Sequence, residues 1–119
     1  MISNRVQIKD ALLTICNNVK TERPEGELTL PLITYGEVTN VHVGQYEDRI
    51  EYQIDAHASS FPEIIQLTQQ IDSVMADMGW TRTYVTPDSN ARVGVGLYHK
   101  SMSYVARIDV RYNDIIGGF

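Results

Sequence analysis

A chain of 119 residues suits one domain and is long enough to bury roughly two thirds of the surface that its unfolded form would expose. Apolar residues make up 43% and charged residues 21%, a balance too apolar for a disordered tail and too interrupted for a membrane span. Fifteen carboxylates against ten Lys and Arg leave a net charge of -5, which argues against a nucleic-acid binder, because phosphate recognition needs a concentrated basic face.

The opening "MISNRVQIKD" is polar and lacks the apolar core of a secretory signal, and the single cysteine, Cys16, has no partner for an internal disulfide. Both features predict a reducing, cytoplasmic setting. From Asn4 to Val19 the apolar residues Ile8, Leu12, Ile15, Cys16 and Val19 recur at spacings of three and four, which stacks them on one face of a helix. In "TERPEGE" the residues Pro24 and Gly26 end that helix. The segment "LPLITYGEVTNV" from Leu30 is rich in β-branched and aromatic residues and predicts a strand, with Pro31 at its entrance and Gly36 at a bulge or bend.

In "DRIEYQIDAHAS" the residues Ile50, Tyr52, Ile54, Ala56 and Ala58 alternate with Arg49, Glu51, Gln53, Asp55 and His57, which predicts a strand with one dry and one wet face. "SSFPE" is a helix start: Ser60 caps, Glu63 follows three residues later, and Pro62 falls in the first turn. The second helix runs from Phe61 to about Met78, buries Ile64, Leu67, Ile71, Val74, Met75 and Met78, and stops at Gly79. "WTRTYVTPD" reads as a strand with Trp80 and the stem of Arg82 set against Thr81, Thr83 and Val85, closed by Pro87 and Asp88. An irregular loop, "SNARVGVGLYH", leads to a last strand with Met102, Tyr104, Ala106, Ile108 and Val110 on one face and Ser103, Arg107, Asp109 and Arg111 on the other. The expected fold is α+β, in the order α-β-β-α-β-β, as a single domain over 1–119 with a mainly antiparallel four-stranded sheet and helices packed on one face.

Chemistry-bearing residues are sparse. His42, His57 and His99 fall on different elements with no acidic or thiol partner at a metal-ligand spacing, so neither a metal nor a cofactor is expected. His57 beside Asp55 and Tyr52 is the one grouping that suggests a small enzyme or ligand-binding domain; a deep pocket lined by those side chains would favour it, and a flat sheet face would count against it. "GVG" from Gly94 to Gly96 precedes a strand, opens no helix and lacks the Lys and Ser/Thr of a phosphate loop. Cys16, on the apolar stripe, reads as a small buried hydrophobe.

The run "QQIDSVMADMGWTRTYVTPDSNARVGVGLYHKSMSYVARID" carries a helix ending in Met-Gly-aromatic, then Thr-Arg-Thr, an irregular loop and Gly-Leu-Tyr-His-Lys opening the last strand. It resembles the tail-completion, or tail-to-head joining, proteins of long-tailed bacteriophages and prophages. "LPLITYGEVTNV" is similar to that family's first strand and "EYQIDAHASSFPEI" to its second strand leading into the long helix, so that the resemblance covers about Leu30 to Asp109. It implies a non-enzymatic assembly protein at the head-tail junction of the virion, made in the host cytoplasm, that caps the tail tube, meets the head connector and closes into a hexameric ring. A different phage neck or minor capsid component is the alternative within that class. The sheet edge and the loop Ser89 to Lys100 are the expected contact surfaces, with Arg82, Arg92, Gly94, Gly96 and Lys100 as candidate partner-binding residues; solubilising surface charge is the plainer role for each cation.

Overall fold

The computed structural model describes residues 4–22, 29–112 and 114–117. Among the described residues two helices and seven strands follow one another as α1 (Asn4–Leu13), β1 (Val19–Lys20), β2 (Leu32–Gly44), β3 (Glu47–Ala58), α2 (Phe61–Asp77), β4 (Thr81–Val85), β5 (Arg92–Gly94), β6 (Leu97–Asp109) and β7 (Asp114–Gly117), with a 3-10 turn at Asp88–Asn90. The α+β class agrees with this architecture. The four-stranded, mainly antiparallel sheet does not: the seven strands form one mixed, curled sheet.

The difference has two physical sources. One is the early end of α1. The side chain of Thr14 donates to the Ala11 carbonyl at 2.6 Å, and Ile15 and Cys16 hydrogen-bond back to Leu12, so the helix closes at Leu13 instead of reaching Val19. Val19 and Lys20 are thereby free to lie parallel to Ile33 and Thr34 as β1. The breakers Pro24 and Gly26, assigned from sequence to this helix end, lie outside the described residues.

The second source is a mismatch of strand lengths. β6 has 13 residues and β4 only five, so β4 covers just the middle of the outer edge of β6, at Met102 to Val105. β5 takes one remaining stretch, at Leu97 and Tyr98, and β7 the other, at Arg107 to Asp109. Three short strands thus share the edge of one long strand, and its backbone groups find partners along most of its length.

β3 and β6 pair without a register break, from Glu47 opposite Asp109 to Ala58 opposite Tyr98. This unbroken ladder sorts the side chains of both strands onto two faces. Tyr52, Ile54, Ala56, Met102, Tyr104, Ala106 and Ile108 face the helices and are buried there with Ile8, Leu12, Ile64, Leu67, Ile71, Met75 and Trp80. The dry faces expected for β3 and α2 are therefore the observed ones, with Val74 and Met78 only partly buried. α2 is capped as its sequence predicts: the Glu63 amide donates to Ser60 Oγ at 3.4 Å, and the Glu63 carboxylate accepts from the Ser59 amide at 3.2 Å. At its other end Gly79 takes φ +100°, a conformation open chiefly to glycine, and the Trp80 amide reaches the Met75 carbonyl at 3.0 Å.

Bulges displace several expectations. Gly36 pairs regularly with Gln53, and the irregularity of β2 falls at Val38 and again at Val43. A further bulge at Thr83 carries Val85 to the core side opposite Met102, where alternation from Trp80 places it on the wet face. Val110, expected as the last dry residue, lies beyond the end of β6 and is exposed.

Ile71 is fully buried at the centre of this core, together with Ile54 and Trp80. Substituting Ile71→Ala is expected to lower unfolding stability by about 2–5 kcal/mol, measured by urea denaturation. A loss below about 1 kcal/mol would contradict the packing of α2 on the sheet.

Candidate functional site

The five residues singled out from sequence do not form one surface. Arg92, Gly94 and Gly96 belong to the β5–β6 hairpin, with Gly96 at φ +64° in its turn and Val93 and Val95 exposed beside them. The segment from Ser89 onward carries regular structure: the 3-10 turn buries Ala91, and the His99 amide donates to the Ala91 carbonyl at 2.8 Å.

Lys100 and Arg82 are engaged internally. The Lys100 side chain is only 5% exposed on the helix-facing side of β6 and pairs with Asp88, which tethers the 3-10 turn to the sheet. Arg82 pairs with Asp72 of α2 at 3.2 Å, and the same carboxylate accepts the Tyr104 hydroxyl at 2.9 Å. Burial, reinforced by Asp72, pushes the Tyr104 phenol well above its ordinary range, so it remains a donor. These cations hold β4, β6 and α2 together.

Two other features stand out. The first is the distal half of β2. Beyond Thr34 its outer edge has no strand partner among the described residues. Val38, Val41 and Val43 are each about half exposed there, and neither a formal charge nor a proline interrupts Val38 to Gly44. Such an edge is a template for an added strand, and soluble proteins ordinarily interrupt it with Lys, Pro or a cover. At the hairpin tip the Arg111 guanidinium lies 4.3 Å over the Tyr46 ring, and the Val110 amide donates to the Tyr46 carbonyl at 2.8 Å.

The second feature lies on the sheet face turned away from the helices. A cavity of about 440 Å³ is lined by Thr21, Thr34, Asp55, His57, Val93, Leu97 and His99. Thr21 follows directly on β1 and Thr34 lies on β2, β3 brings the Asp55 and His57 side chains, and the β5–β6 hairpin the aliphatic wall and His99. His57 and His99 are direct cross-strand partners, with ring centroids 4.7 Å apart and planes 29° from parallel. His99 Nε2 lies 3.0 Å from Asp55 Oδ1, and Gln53 Nε2 donates to the same carboxylate at 3.1 Å. Burial pushes the Asp55 carboxyl up, but hydrogen bonds from His99, Ser101 and Gln53 outweigh it and hold the carboxyl below its ordinary range.

Sequence reading paired His57 with Asp55 and Tyr52; the structure replaces Tyr52 by His99. Tyr52 points to the opposite face, where its ring meets Trp80 edge-on at 5.5 Å. The signal for His99 lay in strand register, which fixes His57 opposite it 42 residues along the chain. His42 stands apart, exposed and 2.8 Å from Asp48. Among the described residues no group of three or more His, Cys, Asp or Glu is arranged to hold a metal ion, and no helix is long and apolar enough to cross a membrane.

No protein-family model matches the chain, and no curated protein matches it either.

Two predictions follow the internal ion pairs. Asp88→Ala strands the buried Lys100 ammonium and is expected to cost about 1–3 kcal/mol in chemical denaturation, more than Lys100→Met, which removes the charge as well. Asp55 has a depressed folded pKa, so its contribution to stability is present above the unfolded carboxylate pKa and is lost as pH falls through the folded value. Asp55→Asn should therefore be less stable than the wild type at neutral pH, with the difference closing in strong acid; a gap independent of pH would contradict the assignment.

Proposed function

We propose that the chain is a structural assembly protein of the tail-completion kind, which caps a phage tail tube and joins it to the head connector as a closed hexameric ring. The observation that carries this reading is the open β2 edge with Val38, Val41 and Val43. A charge-free strand edge of this length calls for a cover, and neighbours in a closed ring supply one to every subunit at once. The sequence resemblance from Leu30 to Asp109 supports the same reading. So does the net charge of -5, since carboxylates facing a channel repel the phosphates of passing DNA. Arg92 and the hairpin turn at Gly94 and Gly96 are the sequence-derived contact residues that carry over to this reading, beside the exposed Val93 and Val95; Arg82 and Lys100 act by holding the scaffold.

A ligand-binding role is the second reading, supported by the cavity at Asp55, His57 and His99. Sedimentation and native mass spectrometry separate the two when the protein is run alone and with assembled phage tail tubes. A hexamer, or co-sedimentation with tubes that Val41→Lys abolishes without unfolding the chain, is the expected result. A strictly monomeric protein that never joins tubes would remove the assembly reading.

A further inference from the structure

We propose that the open edge of β2 is completed, head to tail and antiparallel, by the outer edge of β4 and β7 of a second copy of this chain. This pairing rests on the ring assembly proposed above and supplies the two surfaces that meet in it.

The sheet can be followed row by row. Glu37 of β2 lies opposite Tyr52, Tyr52 opposite Tyr104, and Tyr104 opposite Arg82 of β4. Val41 leads in the same way through Arg49 and Arg107 to Gly117 of β7. β1 covers β2 only at Ile33 and Thr34, before these rows begin. The uncovered stretch of β2 and the outer edges of β4 and β7 therefore occupy the same rows at opposite ends of the sheet. Among the described residues β4 and β7 pair with no strand except β6.

Strand direction agrees. β2 and β6 run one way, and β3, β4 and β7 run the other. Rotation about an axis along the strands keeps that polarity in every subunit. β2 of one copy thus meets β4 and β7 of the next in the antiparallel sense, the more stable of the two ladders.

Charge selects this pairing over a two-fold one. Glu37 is the only formally charged residue of β2 and Arg82 the only one of β4. They share a row, so head-to-tail contact brings unlike charges together. Two-fold pairing of β2 with β2 would place two Glu37 carboxylates on one shared edge and leave β4 and β7 bare. Asp72 engages Nη1 of Arg82, and the guanidinium has further N–H donors to offer a second carboxylate. The apolar contribution is matched as well: Val38 and Val41 on one edge and Tyr84 and Ile116 on the other are each about half exposed.

Chemical cross-linking tests the pairing. The double variant Val38→Cys/Tyr84→Cys is treated with a short bis-maleimide, alone and with assembled phage tail tubes, beside each single variant and the wild type with its buried Cys16. Its two new thiols lie at opposite ends of one sheet, so a covalent ladder of multimers arises only between chains. The expected result is that ladder in the double variant and in neither single one. Glu37→Arg, at an exposed position, should weaken self-association at least about tenfold by sedimentation, because it sets like charges face to face. Hexamers that give no ladder, that cross-link through Val38→Cys alone, or that ignore Glu37→Arg overturn this pairing and leave the ring in place. Monomers with and without tubes overturn both.

Discussion

The pairing of β3 with β6 is the constraint on which the rest of the molecule depends. Twelve residue pairs run from Glu47 to Ala58 without a bulge, while every other pairing of β6, and the pairing of β2 with β3, carries at least one irregularity. A slip of one residue in that ladder would turn one strand over against the other, sending either Ile54 or Met102 away from α2 and bringing Gln53 or Ser103 toward it. The apolar face is therefore an energetic lock on register. The same lock decides the chemistry of the opposite face, because His57 meets His99 only in this register.

A bulged strand flanks this stiff pair, and the two regions divide the work. At about 3.4 Å per residue, a 13-residue strand reaches roughly 40 Å, and the molecule measures 49 Å along its longest axis and 25 Å across. The helices cover the core side, and the β2–β3 hairpin carries Val41 and Val43 to its tip. Stability and exposure are thus separated along the chain: Ile33 and Tyr35 in the first part of β2 are buried, and its second part is open.

Sequence reasoning succeeded where one period persisted long enough to be read. Ile50 through Ala58, Ile64 through Met75 and Met102 through Ile108 each repeat a face several times, and each lies buried as its period demands. It failed where an element was too short to have a period. Val19 and Lys20 make a strand of two residues, and Arg92 to Gly94 one of three; neither could announce itself, because both exist only to satisfy the edges of longer strands. The bulge at Thr83 inverted the face of Val85 for a local reason that alternation cannot encode. The candidate site was half legible. Asp55 and His57 share one strand and were visible together, but His99 joined them through pairing. Lys100 and Arg82 looked like free surface cations because Asp88 and Asp72 are 12 and 10 residues away, on elements whose approach depends on packing.

The division of the outer edge of β6 among three short strands also sets how the molecule breathes. Each of β5, β4 and β7 is joined to β6 by its own few hydrogen bonds, and none of them pairs with another. Opening one breaks no hydrogen bond of the others or of the β3 ladder, which is the arrangement that permits small local openings. The β3–β6 ladder, paired without a break under the helices, has no such separable part. The chain thus carries a rigid spine with separable flaps, and the flap at β5 forms one wall of the cavity, so entry to the histidine pair requires no disturbance of the core.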